Sequence, residues 1–231
     1  MKVEPWPPAA AWAQRSAEPE LLDVGVDEHE ALDSLADLRF VNRRLGGRRA
    51  LRRAVLPLLE GLARPSLLDV GCGSADMPAM LMAHSPRPLE VVGVDIKPLH
   101  LRAAPPGIRP VVADAHRLPF RNHSFDIVTA SLFLHHFDGP EVADALREFA
   151  RLARHALVIN DLRRARVPYA FGRLFFPLLF RSRVSVQDGL LSIRRAFTDS
   201  ELRAAFEAAG LPQVRIQRAF PYRLLAVARL P

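Results

Sequence analysis

Cysteine is all but missing: Cys72 is the only one among 231 residues, so no intrachain disulfide can form and no cysteine-based metal site exists. That fits a reducing cytoplasm. Lysine is almost as scarce. Lys2 and Lys97 are the only two among 32 basic side chains, so the net charge of +7 rests on arginines scattered along the chain. Such a charge suits an anionic partner, nucleic acid or a phospholipid surface, but no basic block or RNA-binding module is visible. Nucleic acid is therefore not the expected partner.

Long hydrophobic runs are lacking too. The greasiest stretch, 167–180, contains Arg173 and falls short of the roughly 20 apolar residues needed to cross a bilayer. Residues 1–20 carry Glu4, Glu18, Glu20 and several prolines, without the continuous apolar stretch of a signal peptide. They read as a loose arm. There is no internal repeat and no low-complexity tract. Neither a metal nor a covalent intermediate is called for by any motif.

What the chain has is 49% hydrophobic residues, enough for one sizeable core with appendages and short for two complete domains. Short apolar runs at 67–70, 89–94, 110–113, 125–130 and 156–159 alternate with amphipathic segments, the pattern of a mostly parallel α/β sheet. Asp138 stands where it can cap a helix with Pro140 in its first turn. Thr198 and Glu201 have capping-box spacing, Phe197 and Leu202 staple spacing, and Gly210 sits at a left-handed C-cap. Beyond it, 214–219 and 224–230 flank residues 220–222 as a closing antiparallel pair. Residues 162–197, rich in Arg, Phe and Leu and interrupted by Pro168 and Pro177, break the alternation and read as an inserted helical cap. Residues 21–64 read as helical, and Gly46 and Gly47 stop a leading helix. The expected organisation is an arm and lid helices over 1–47, a cofactor core over 48–161, the cap over 162–197 and a closing unit over 198–231.

The most informative stretch runs Leu67-Leu68-Asp69-Val70-Gly71-Cys72-Gly73-Ser74-Ala75-Asp76, a strand feeding a glycine turn and a helix. Gly71 and Gly73 let the backbone turn sharply and approach a ligand. A Gly-x-Gly turn alone also serves nicotinamide and flavin enzymes. Asp69, just before it, would repel a pyrophosphate but favour the cationic ammonium and sulfonium of S-adenosylmethionine (SAM). Asp95 closes the second apolar run, where a carboxylate accepts both hydroxyls of an unphosphorylated ribose, in NAD enzymes as well. Asp114, after the third, can accept from an adenine amino group, with Ala115 donating through its backbone.

In this order the motifs resemble those of the class I SAM-dependent methyltransferases, in particular the branch related to ubiquinone and menaquinone methyltransferases, over residues 66–161. The resemblance implies a Rossmann-like, mostly parallel seven-stranded sheet with helices on both faces and an antiparallel last strand. It implies that Asp69, Gly71, Cys72 and Gly73 hold the methionine end, Asp95 and Ile96 the ribose, and Asp114 and Ala115 the adenine. Ser131 and Leu132 would line the cofactor beneath its reactive methyl. Ala75 replaces the family's third glycine, a small residue that should still allow helix and strand to meet.

SAM carries an activated methyl, so the expected chemistry is alignment of a nucleophile in line with the methyl carbon. His135 and His136, directly after the fourth run, are the candidate bases for a hydroxyl or acidic carbon. As neighbours in the chain they are expected to point apart. Asn160 and Asp161, closing the fifth run, could orient a polar acceptor or cap the next segment. Tyr169 and Phe175 lie in a segment apolar enough to line a pocket for a small lipophilic or aromatic acceptor. Alternatively that segment rests on a membrane surface, helped by Arg163, Arg164, Arg166, Arg181 and Arg183. Arg39 or Arg43 could meet the methionine carboxylate or simply face solvent.

Three other readings stay open. An rRNA or tRNA methyltransferase would share the fold, although Ser131-Leu132-Phe133-Leu134 replaces the Asn/Asp-Pro-Pro-aromatic motif of enzymes that methylate base amines. An NAD(P)-dependent oxidoreductase would share the turn and Asp95 but not Asp69. A non-catalytic SAM-binding protein would bind S-adenosylhomocysteine (SAH) without transferring a methyl group.

Overall fold

The computed structural model describes residues 6–231; residues 1–5, with Lys2 and Glu4 of the amino-terminal arm, lie outside the described residues. Three helices come first: α1 (Leu21–Val24), α2 (Glu28–Arg44) and α3 (Gly47–Leu59). Asp27 caps α2 by accepting from the Glu30 amide, and Gly46 carries the chain into α3 at φ 77°. The alternating part follows as β1 (Ser66–Val70), α4 (Asp76–His84), β2 (Glu90–Asp95), α5 (Pro98–Leu101), β3 (Ile108–Val112), β4 (Phe125–Ser131), α6 (Glu141–Leu152) and β5 (Ala153–Leu162).

Together with β6 (Val214–Ala219) and β7 (Arg223–Arg229) these make one seven-stranded sheet in the order β3-β2-β1-β4-β5-β7-β6, with β1 to β5 parallel and β7 antiparallel to both neighbours. Leucine, valine and isoleucine dominate the strands because both faces are covered. Leu68, Val70, Val128, Leu157 and Ile159 pack under α6 and the later helix α9 (Asp199–Ala208) on one side. Leu67, Val91, Ile127, Ala156 and Val158 pack under α3 and α4 on the other. The order reverses between β1 and β4, so the carboxyl ends of these two strands flank the crevice where open α/β sheets bind ligands.

Between β5 and the last two strands lie α7 (Arg166–Leu179), α8 (Arg183–Arg195) and α9 (Asp199–Ala208). Neither proline of the cap interrupts it: Pro168 sits in the first turn of α7, where an amide is not needed, and Pro177 in its last. The capping box of Thr198 and Glu201 is formed in full, and Glu201 also binds Arg164 at 2.6 Å. β6 (Val214–Ala219) and β7 (Arg223–Arg229) close the sheet.

The structure corrects two local expectations. Asp138 does not cap α6: its carboxylate is taken by Arg195 at 3.1 Å, and the helix starts at Glu141 with no side-chain cap. Nor are residues 6–20 a loose arm. Arg15 donates to the carbonyls of His135 and Phe137 at 2.8 Å, and the Ser16 amide donates to Arg194. Within the described residues, no helix is long and apolar enough to cross a membrane.

Candidate functional site

The glycine turn leaves β1 with Gly71 and Gly73 at φ 65° and 52°, values that L side chains adopt only with strain. At Gly71 the missing side chain makes room for the Phe133 ring, which would lie 2.2 Å from a Cβ there; at Gly73 the nearest atom is a Leu35 methyl at 3.5 Å. Ala75, which replaces the third glycine, is also left-handed at φ 56° and fully buried. Its methyl is accommodated, but the backbone remains in a glycine-like state.

Asp69 is 2% exposed and accepts the Thr129 hydroxyl at 2.6 Å. No cationic side chain among the described residues pairs with it. Burial pushes its carboxyl up to about 7; the Thr129 hydrogen bond opposes this, and the charges of Asp76 and Asp95 add to it. A buried carboxylate without a countercharge fits a site whose ligand brings a cation. Asp95 receives the Gly73 amide on one oxygen and the Lys97 amide on the other, both at 2.9 Å, tying the end of β2 to the glycine turn. The His100 ring nitrogen stands 3.2 Å from the same carboxylate. Ile96, just beyond, is exposed.

Asp114 is exposed and accepts the His116 amide at 2.9 Å, a local turn that leaves its other oxygen free of any described partner, while Ala115 is buried. Cys72 is buried, and burial pushes its thiol far up, so it is inert packing beside Gly93. Ser131 meets the Asn160 amide at 3.5 Å, and Leu132 takes φ 53°. These residues gather at one edge of the sheet, set by the parallel register Asp69↔Gly93, Val70↔Val94 and Asp95↔Val112.

A cavity of about 580 Å³ opens beside this edge, between α2, α7, α8 and the β6–β7 turn. It meets the edge carrying the glycine turn at Leu132. Its walls are largely apolar, with Val41, Phe171, Phe176, Phe180 and Ile193, and carry Arg43, Arg44, Arg49 and Arg163 at their edges; Glu20, His135 and His136 also line it. Arg39 does not line it.

Several expected substrate residues do not reach this space. Asn160 and Asp161 are fully buried in β5, bonded to Gly47 and Ser131 and to His135 respectively. Tyr169 packs edge-on against Trp6 and Trp12 on the far side of α7. Phe175 stacks outward on Phe171 and is partly exposed. From α7 the cavity is lined instead by Val167, Pro168, Phe171 and Phe176.

The histidines do not point apart. They lie in a 3₁₀ turn, and their rings stack at 4.5 Å between centroids. His135 Nδ1 meets Asp161 at 2.7 Å and its Nε2 lies 3.4 Å from Glu20; His136 Nδ1 meets Asp23 at 2.7 Å. Burial disfavours the charged His135 ring, but the charge and hydrogen bond of Asp161, then the nearby carboxylate of Glu20, outweigh it and raise its pKa well above the usual range. An imidazole held protonated cannot accept a proton, so His135 is unsuited to act as the base. Glu20 and Asp161 are correspondingly lowered, the histidine overcoming their burial. Glu20 and Asp23 carried no signal in the sequence, because no motif surrounds them and they arrive from the arm and the short α1.

A family model described as "Methyltransferase domain" matches residues 68–156. Demethylmenaquinone methyltransferase of Roseiflexus sp. (strain RS-1) is 38% identical over 104 residues, 43% of this chain and 42% of that protein. That of Lactiplantibacillus plantarum is 27% identical over 195 residues, 75% of this chain and 81% of the relative. The chain spans about half or less of the relatives from Roseiflexus, Thermotoga maritima and Chlorobaculum tepidum, at 42%, 49% and 39% of their lengths. In fold it is similar to magnesium protoporphyrin IX methyltransferase (ChlM) from Synechocystis PCC 6803 with bound SAH. That match has a TM-score of 0.57 and 17% identity, covering 81% of this chain and 85% of the other. A SAM-dependent methyltransferase from Aquifex aeolicus gives a TM-score of 0.56 at 17% identity, covering 78% and 89%. In its glycine turn, its strand order and the methyltransferase domain matched over residues 68–156, the chain is similar to the class I SAM-dependent methyltransferases.

Proposed function

We propose that the protein transfers the methyl group of SAM to an oxygen or acidic carbon of a small lipophilic or aromatic acceptor held in the α2–α7–α8 cavity. The observation that carries this reading is the adjacency of two unlike spaces at Leu132. One is an acidic, glycine-lined edge with an unpaired buried carboxylate, and the other is an apolar cavity of about 580 Å³. That volume is in the range of sites that enclose a drug-sized molecule.

In this reading Asp69 holds the ammonium of the methionine end and Asp95 the ribose hydroxyls, while Asp114 and Ala115 meet the adenine. Gly71, Cys72 and Gly73 bring their backbone close, Ile96 covers the ribose side, and Ser131 and Leu132 form the floor beside the sulfonium. SAM supplies a methyl on a positively charged sulfur, already activated for in-line displacement. The chain's own work is to align the acceptor and keep water out.

Phe171, Phe176 and Ile193 would hold the apolar body of the acceptor, leaving its reactive group at the polar end beside Glu20 and His136. His136, oriented through Nδ1 by Asp23, is the histidine placed to receive the acceptor's proton; His135 serves to fix the turn. The demethylmenaquinone methyltransferases among the relatives favour a quinol-like ring bearing a hydrocarbon chain. Arg43, Arg44 and Arg163 at the cavity edge suit an acceptor carrying negative charge.

The test is incubation with methyl-labelled SAM and a panel of hydroxylated aromatics and reduced quinones. Label is expected in at least one lipophilic member and in no RNA. Labelled RNA with unlabelled small molecules would overturn the acceptor class; absence of SAH binding would overturn the reading as a whole.

A further inference from the structure

Glu20, His135 and His136 each place one donor atom within 4.8 Å of the other two. The arrangement behind these atoms is specific. Each imidazole has its Nδ1 on a carboxylate at 2.7 Å, His135 on Asp161 and His136 on Asp23. Both are thereby fixed in orientation, with Nε2 turned to the same carboxylate: Glu20 lies 3.4 Å from Nε2 of His135 and 3.9 Å from Nε2 of His136. His135 is 2% exposed, and its Nε2 has no partner of hydrogen-bonding geometry among the described residues.

We infer that these three side chains form a binding site for a divalent transition ion of the zinc type. Two imidazoles and one carboxylate are a ligand set that such ions favour, and carboxylate–histidine–metal relays are the usual second layer around them. In a tetrahedral site with bonds of about 2.1 Å, ligand atoms sit ~3.4 Å apart. The three donor atoms lie within 4.8 Å of one another, so closing on an ion takes side-chain shifts of up to about 1.4 Å per pair. The rings stack at 4.5 Å and 29°, so they must turn apart for both Nε2 lone pairs to meet one ion.

The surrounding charge allows a cation. Arg15 and Arg195 are engaged with Asp138 and with main-chain carbonyls of the 135–137 turn, while Lys97, whose charge reaches Asp23, and Arg223, whose charge reaches Asp161, donate to the Leu22 and Leu45 carbonyls. Glu20, Asp23 and Asp161 remain as three carboxylates around two rings. The ion would enter in exchange for a proton on His135 Nε2.

With three protein ligands the site keeps an open position, and Glu20 and His136 both line the cavity, so that position faces the space proposed for the acceptor. An acceptor's hydroxyl or carbonyl oxygen is the group that would meet it there; with the ion bound His136 Nε2 is a ligand and no longer the base, and a hydroxyl would lose its proton to solvent on coordination, its pKa lowered by the ion. That last role rests on the methyl-transfer reading; the cation site itself does not.

The test is calorimetric titration of tag-free, chelator-treated protein with ZnCl₂, with visible spectra of the protein after addition of CoCl₂. About one equivalent is expected per chain, together with cobalt bands of a nitrogen- and oxygen-ligated ion. Glu20→Gln and His136→Gln should each weaken binding at least about tenfold, and Asp23→Asn by about 10- to 100-fold. Retained melting transitions and SAH affinity would show that the variants are folded. No saturable zinc binding by the parent protein, or binding unchanged in both Glu20→Gln and His136→Gln, overturns the site. SAH binding is measured in the same samples, so loss of the metal site and loss of the cofactor reading are told apart.

Discussion

Thr129 donates its hydroxyl hydrogen to Asp69 across 2.6 Å from the neighbouring strand, and no cation among the described residues answers the same carboxylate. The ionised form is thus held by one neutral donor in a buried place, with Asp76 and Asp95 adding negative charge. In the cofactor-free protein Asp69 ionises only near pH 7, although in an unfolded chain it would do so near pH 4.

A pH dependence follows, and its sign is fixed. Between about pH 4 and 7 the folded chain binds more protons at Asp69 than the unfolded one, so this residue's contribution to stability falls as pH rises through that window. A ligand bearing an ammonium favours the ionised carboxylate. SAH affinity should therefore strengthen from pH 5.5 toward 7 by up to about tenfold per unit and level off above, with proton release visible in buffers of different ionisation enthalpy. In Asp69→Asn the affinity should be weaker and the slope absent.

The two glycines of the turn should respond unequally to alanine. Gly71→Ala would place a methyl 2.2 Å from the Phe133 ring in a left-handed backbone, whereas Gly73→Ala meets nothing closer than a Leu35 methyl at 3.5 Å. The expected costs are about 2–5 kcal/mol for the first and about 1–2 kcal/mol for the second. Urea denaturation gives the order directly, and equal losses would contradict it.

Arg223 is 1% exposed, donates to the Leu45 carbonyl at 3.1 Å, and is lowered to about 10 by burial. It pins the end of α2 to β7. Arg223→Ala leaves these acceptors buried and should cost about 2–4 kcal/mol, read as a lower midpoint in denaturant with cooperativity retained.

The strand positions and the capping of α9 were legible in the sequence because both are written locally, in apolar runs bounded by turns and in the spacing of Thr198 and Glu201. The carboxylates at the strand ends were legible for the same reason: parallel register carries Asp69 and Asp95 to one edge once the strands are placed. Glu20 and Asp23 were not, since their approach to His135 and His136 spans more than a hundred residues of chain and depends on how α1 docks on α8. The paired histidines misled because a 3₁₀ turn, unlike a strand, can stack adjacent rings. Tyr169 and Phe175 misled because α7 carries apolar side chains on nearly every side, exposed ones included, so its composition does not announce which of them border the cavity.

Phe171 sits on the cavity wall and is partly exposed, so its truncation separates acceptor binding from cofactor binding. Phe171→Ala should raise the acceptor KM by about tenfold through lost apolar contact, with SAH affinity unchanged. A change in SAH affinity of the same size would place this helix against the cofactor instead.

The most direct measurement is calorimetric titration of the protein and its Asp95→Ala variant with SAH at pH 7.5. Saturable binding of one SAH per chain is expected, and in the variant a loss of tenfold or more, about 1.5–3 kcal/mol for hydrogen bonds to a charged acceptor, with the melting transition retained. No heat with the parent protein, or equal affinity in the two, would contradict the account.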